Sequence, residues 1–152
     1  MRITTIVFPV RDDCIFLATK KRKVGAGFLN GWGGKKKLGD VTIEDTARRE
    51  LKEESGVTAQ NLEKVAVVEF FEGCILIFEC HIFFCHEWQG ELCEPDEMGK
   101  PELYELSGLP FDRMMDADKK WLSVVCAGQK IRAQVWYNNG LTHLERFEWK
   151  IL

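Results

Sequence analysis

Residues 42–56 fix most of what this chain can become, because they read as a helix carrying a buried stripe and an acidic stripe side by side. Ile43, Ala47 and Leu51 recur at i, i+4 and i+8, which puts three apolar side chains on one helix face at about 100° per residue. Gly56 supplies the stop. Beside that stripe Glu50, Glu53 and Glu54 stand at i, i+3 and i+4, so their carboxylates share one patch of surface. Like charges so placed destabilise an isolated helix by roughly 0.2–0.5 kcal/mol per pair, and positive charge is expected among them. Arg49, spaced i, i+4 from Glu53, and Lys52 supply part of it, which leaves a solvated acidic face as one reading. The other reading is a hard divalent cation, Mg2+ with Mn2+ as substitute, which takes oxygen ligands and is shared between one or two carboxylates and substrate phosphates.

The flanking sequence builds a sheet for this helix to lie on. Residues 3–10 and 14–19 read as strands joined by the turn Arg11-Asp12-Asp13. Residues 64–71 and 75–85, rich in Val, Ile and Phe around Glu72-Gly73-Cys74, are a second pair. Residues 91–98 are polar and loop-like, and 103–106 are a short strand. Met114, Trp121, Leu122 and Val125 give a second helix before Gly128. Residues 131–137 and 141–151 alternate around Asn138-Asn139-Gly140, a hairpin that closes the sheet. Strands, helix, strands, helix, strands argue for mixed α/β layers rather than a regular βαβ series.

Composition narrows the function. With 152 residues, 45% hydrophobic, the chain is expected to form a single domain over 1–152 with a sizeable core. A net charge of −3 and a pI near 5.7 argue against a duplex nucleic-acid binder, although Lys20-Lys21-Arg22-Lys23 and Lys35-Lys36-Lys37 are local clusters suited to phosphates. No apolar run reaches the roughly 20 residues needed to span a bilayer, and a cytoplasmic location is expected. Six cysteines without a C-x-x-C, mostly in strand-like runs, are expected to be buried reduced thiols.

Arg49-Glu50-Leu51, Glu53-Glu54 and Gly56-Val57 together resemble the second half of the Nudix box, G-x5-E-x7-R-E-U-x-E-E-x-G-U with U aliphatic, in full register. The first half departs from it. Val41 stands where the family has Glu, and Gly34 is one residue too distant, which reads as a one-residue insertion with Gly39-Asp40 in place of Gly-Glu. The shorter Asp40 is expected to weaken the role of that loop carboxylate. A P-loop is excluded, because Asp40-Val41 stands where Lys-Ser/Thr is required. Outside the box, Lys20-Lys21-Arg22, Gly25-Ala26-Gly27, Asn30-Gly31, Asp96-Glu97-Met98 and Leu109-Pro110-Phe111 resemble the MutT branch, and within it the oxidised-purine nucleoside triphosphate hydrolases.

That resemblance implies the Nudix fold, a mixed β-sheet between α-helices, and hydrolysis of a small-molecule nucleoside triphosphate such as 8-oxo-dGTP by a monomer. Water attacks an inner phosphorus, releasing monophosphate and pyrophosphate. Glu50, Glu53 and Glu54 correspond to metal ligands, joined by a backbone carbonyl at the Gly33-Gly34 turn and by Glu97, which matches either a further ligand or an alternative base. Glu53 is favoured as base, and Arg49 as the residue that orients the carboxylates. Thr5, Lys20, Asn30, Phe70 and Phe78 fall where the nucleotide pocket is lined, with core packing the alternative for both phenylalanines. Met115 replaces an aromatic over the base, Ala117 replaces one acid, Asp118 aligns with the other and Asp116 stands in for the lost one. The competing role for Asp116 or Asp118 is to cap the second helix. A nucleotide sugar, a dinucleoside polyphosphate or an ordinary nucleoside triphosphate as substrate, and a nucleotide-sensing module without turnover, are the other readings.

Overall fold

A computed structural model describes residues 2–94 and 98–152; Asp96 and Glu97, assigned above to a loop with a metal ligand, lie outside the described residues. The first hairpin is β1 (Arg2–Arg11) and β2 (Cys14–Thr19), turned by Asp12 and Asp13, both left-handed at φ 55° and 61°. Two short strands that periodicity did not reveal follow, β3 (Leu29–Asn30) and β4 (Trp32–Lys35). Gly33-Gly34 is therefore strand rather than turn. Next come α1 (Ile43–Ser55), the two-residue β5 (Thr58–Ala59), β6 (Glu63–Glu72), β7 (Ile75–Cys85), β8 (Trp88–Gln89) and β9 (Glu102–Glu105). A 3-10 turn at Phe111–Arg113 leads into α2 (Asp116–Cys126), and β10 (Ile131–Asn138) and β11 (His143–Ile151) finish the chain.

Local chemistry sets the ends of α1. Thr42 Oγ1 accepts from the Asp45 amide at 3.1 Å while the Asp45 carboxylate accepts from the Thr42 amide at 2.9 Å, a reciprocal cap of a kind that stabilises a helix start by about 1 kcal/mol. At the other end Gly56 takes φ 84° and donates its amide to the Lys52 carbonyl, so the chain leaves the helix where only glycine is unstrained.

The large sheet runs β11-β10-β6-β7-β1-β2-β3, with β4 also on β1 and β9 also on β2. It is mixed: β7 and β1 are parallel, as are β6 and β10, while the other pairs in the sheet are antiparallel. Alternation sends neighbouring side chains to two cores. Phe8 and Ile82 join Trp121 and Leu122 of α2 on one face, while Val7 and Phe83 join Ala47 and Leu51 of α1 on the other. The sheet thus lies between the two helices. One edge of β1 is shared, with β4 along Thr4–Val7 and β2 at Val10 and Arg11, and the sheet divides there. All six cysteines are free, but only Cys80 and Cys85 are buried; Cys74 and Cys93 are exposed because they sit in connections rather than strands.

Candidate active site

Arg49 is the hub of the acidic patch. Its Nε donates to Asp40 Oδ1 at 2.9 Å and its Nη2 to Asp40 Oδ2 at 2.7 Å, a two-pronged charge-assisted pair. Nη1 donates to Glu50 Oε1 at 2.7 Å and reaches Glu53 Oε2 at 3.5 Å, and Nη2 also donates to the Lys35 carbonyl at 3.0 Å. Asp40 Oδ2 further accepts from the Lys37 amide and the Thr46 hydroxyl, both at 2.9 Å. The Arg49 guanidinium, with those two donors, holds the Asp40 carboxyl well below the usual carboxylate range. The shorter Asp40, expected to weaken the role of the loop carboxylate, is held on Arg49 with its side chain 7% exposed, while Val41 beside it is 85% exposed.

Glu50 and Glu54 are each 7% exposed and converge on β4. Glu54 Oε2 accepts from the Gly33 amide at 3.2 Å. The Glu50 carboxylate lies so close to Gly34 that a Cβ there would stand 2.6 Å from both of its oxygens. At Gly33 a Cβ would fall on the Thr5 carbonyl oxygen of the paired strand, so only glycine lets β4 lie this tightly on β1. Glu53 faces outward, with 52% of its side chain exposed. Among the described residues no group of three His, Cys, Asp or Glu side chains stands together to hold a metal, since Arg49 draws Glu50 and Glu53 to itself. Two buried carboxylates at adjacent glycines are nonetheless a hard-oxygen donor set that suits a divalent ion completing its shell with water and phosphate.

A cavity of about 970 Å³, counted out to its open mouth, begins at this patch. Gly33, Gly34, Lys35 and Glu54 line one part, and Thr5, Lys20, Asn30, Phe70, Phe78, Met115 and Asp118 line the rest, so seven residues expected in the pocket share one space with the carboxylate end. Phe70 and Phe78, opposite each other on β6 and β7, stack at 4.4 Å and 16° and form an aromatic wall; Phe70 belongs to the core as well. Asn30 Oδ1 accepts from the Gly31 amide at 2.8 Å, which fixes the orientation of its amide at the end of β3. The Thr5 hydroxyl is buried without a partner.

Asp118 is 4% exposed and set by α2 at the cavity wall. Its Oδ1 accepts from Trp121 Nε1 at 2.9 Å, whereas its Oδ2 is buried with no partner. Burial pushes the carboxyl up to about 6, opposed by the Trp121 hydrogen bond and by Lys20. It does not cap α2, whose N-cap position is Met115 and has no side-chain cap. Asp116 is placed differently from expectation: half exposed, paired to Lys119 at 3.1 Å and outside the cavity lining, because the two-position step from it to Asp118 turns the side chain by about 200° around the helix. Sequence reasoning missed Arg2, Arg22, Val24, Cys80 and Met98, which also line the cavity. Arg22 and Met98 lie in fragments that the sequence marks for other reasons, whereas nothing local marks Arg2, Val24 or Cys80, which reach the cavity through strand register and the 20–28 loop.

The family model for the NUDIX domain matches residues 1–124. A curated relative from Danio rerio, named oxidized purine nucleoside triphosphate hydrolase, is 39% identical over 125 residues, covering 82% of this chain and 79% of the relative. A Mus musculus protein of the same name is 37% identical over 130 residues, covering 85% and 82%. Among solved structures, a MutT protein from Bacillus halodurans shares the fold with a TM-score of 0.83 over 98% of this chain and 97% of its own, at 23% identity. With the family model over residues 1–124 and two relatives at 37–39% identity, the chain belongs to the Nudix family.

Proposed function

We propose that this Nudix protein is a Mg2+-dependent nucleoside triphosphate pyrophosphohydrolase acting on oxidised purine nucleoside triphosphates such as 8-oxo-dGTP, with residues 1–152 working as one monomeric domain on a free nucleotide. The observation that carries the reading is the continuity of a single cavity from an aromatic wall with an unpaired buried carboxyl oxygen to Glu54, the buried carboxylate held on the Gly33 amide. A flat base and a polyphosphate need those two ends, and the names of the relatives point to the same substrate class.

Glu50 and Glu54 would hold the metal with the Gly33 carbonyl, and Glu53 and Glu97 would complete or serve that site. A bound divalent ion supplies charge neutralisation of the phosphates and a more acidic water. The chain itself does the rest. Arg49 keeps Glu50 in place and offsets the patch's negative charge. Glu53, facing solvent, takes the proton from the attacking water. Phe70 and Phe78 bury one face of the base, Met115 covers it through a soft thioether, and Asn30 and Asp118 meet its polar edge while Lys20 and Thr5 line the path to the phosphates. Kinetics on 8-oxo-dGTP, dGTP, 2-hydroxy-dATP, dATP and ADP-ribose, following pyrophosphate against phosphate, test the substrate; equal kcat/KM for oxidised and ordinary purines would refute the specificity. Glu53→Gln should lose at least ~100-fold in kcat. Background rates in both proteins with intact nucleotide binding would identify a sensor instead.

A further inference from the structure

Helix α2 begins without a cap of its own. The side chain of Met115 at the N-cap has no oxygen to offer the first-turn amides, Asp116 is engaged by Lys119, and Asp118 Oδ1 accepts from Trp121. The amide of Ala117, fully buried, instead donates to the hydroxyl of Tyr137 on β10 at 2.8 Å. Tyr137 is 1% exposed, and its ring lies over Phe70 at 6.4 Å and 11°, while Phe70 stacks on Phe78. One side chain therefore touches both walls of the cavity: its ring supports the aromatic pair, and its hydroxyl grips the helix start from which Met115 and Asp118 project. Burial pushes the phenol well above its ordinary range, so the hydroxyl stays neutral and available to accept.

We propose that Tyr137 is a positioning residue for base recognition, its hydroxyl fixing the separation between the Phe70–Phe78 wall and the Met115–Asp118 wall. The inference rests on the reading that this cavity holds the base. It differs from a packing role in that the hydroxyl alone does the work.

The test is Tyr137→Phe in the full chain, which keeps the ring and removes the oxygen. Three measurements are compared with wild type: hydrogen exchange of the Ala117 amide, calorimetric binding of 8-oxo-dGMP, and electron paramagnetic resonance titration with Mn2+ alone. Leaving a buried amide unpaired should speed Ala117 exchange and weaken 8-oxo-dGMP binding, each by about tenfold. Mn2+ affinity should stay within about twofold, and 8-oxo-dGTP turnover should show a raised KM with kcat nearly unchanged. Unchanged Ala117 exchange, or monophosphate affinity equal to wild type, would overturn the role of Tyr137. A parallel loss of Mn2+ and monophosphate binding would reduce it to general stability and overturn it equally. A wild type that binds no monophosphate would instead overturn the reading of the cavity, a result distinct from normal wild-type binding that the substitution leaves intact.

Discussion

Gly34→Ala isolates how closely Glu50, a metal ligand in the proposed function, must be held. The backbone at Gly34 is extended, so alanine is conformationally allowed, but its methyl would stand 2.6 Å from both Glu50 carboxylate oxygens where ordinary contact begins at 3.4 Å. The carboxylate must retreat by about 0.8 Å. Because it is the far end of a flexible side chain, the fold can yield there, and the loss of glycine's freedom in the unfolded chain returns about 0.4–1 kcal/mol. The melting temperature should move by no more than about 4 °C. Activity has no such slack: Glu50 is tied to Arg49 at 2.7 Å, and a displacement near 1 Å in a site that works by alignment costs on the order of 100-fold, or about 2.7 kcal/mol of barrier. Steady-state kinetics with 8-oxo-dGTP across a Mg2+ titration, beside thermal melts, should show kcat/KM down by about that factor and a higher Mg2+ requirement. A folded Gly34→Ala protein with kcat/KM within about threefold of wild type would refute the reasoning. Gly33→Ala is the contrast, because its methyl meets backbone of the paired strand, which cannot swing aside; it should fail to give folded protein.

Three further outcomes are expected. Asp40→Asn should lower activity by about 10–100-fold, as loss of a residue that orients a ligand does; since Arg49 depresses the Asp40 carboxyl, its stabilising share is full above the ordinary carboxylate pKa and lost as pH falls below it, so acid melts of the variant should be flatter. Asp118 has the opposite sign: raised to about 6 by burial, its carboxyl binds a proton more tightly folded than unfolded, so stability falls as pH rises from about 4 to 6. Calorimetry of Asp118→Asn should reveal a gain on the order of 2–3 kcal/mol relative to wild type at pH 7 that vanishes near pH 4, and kcat/KM for 8-oxo-dGTP should change through pH 6 in the wild type but not in the variant. Chelation with EDTA should bring turnover to background, and Mg2+ or Mn2+ should restore it, while monophosphate binding at the aromatic end persists.

The long elements were legible because each buries one face: Ile43, Ala47 and Leu51 mark α1, and the Val, Ile and Phe runs mark β1, β6 and β7. Strands β3 and β4 escaped because Gly31, Gly33 and Gly34 break any alternation, yet those glycines are why β4 can approach β1 and Glu50. The site was half legible. Spacing brought Glu50 and Glu54 together and pointed to the Arg49–Glu53 pair, but it could not show that Asp116 and Asp118 would part company over two residues of one helix. Tyr137 left no local signal at all, since its partner Ala117 lies 20 positions away.

The pairing of Asp40 with Arg49 across a loop from which Val41 bulges has a meaning beyond this protein. A search that demands fixed intervals between letters would discard this chain, although the guanidinium and the carboxylate still find each other. Interval is only a shadow of contact, and surplus chain can be vented into water without disturbing what it spans.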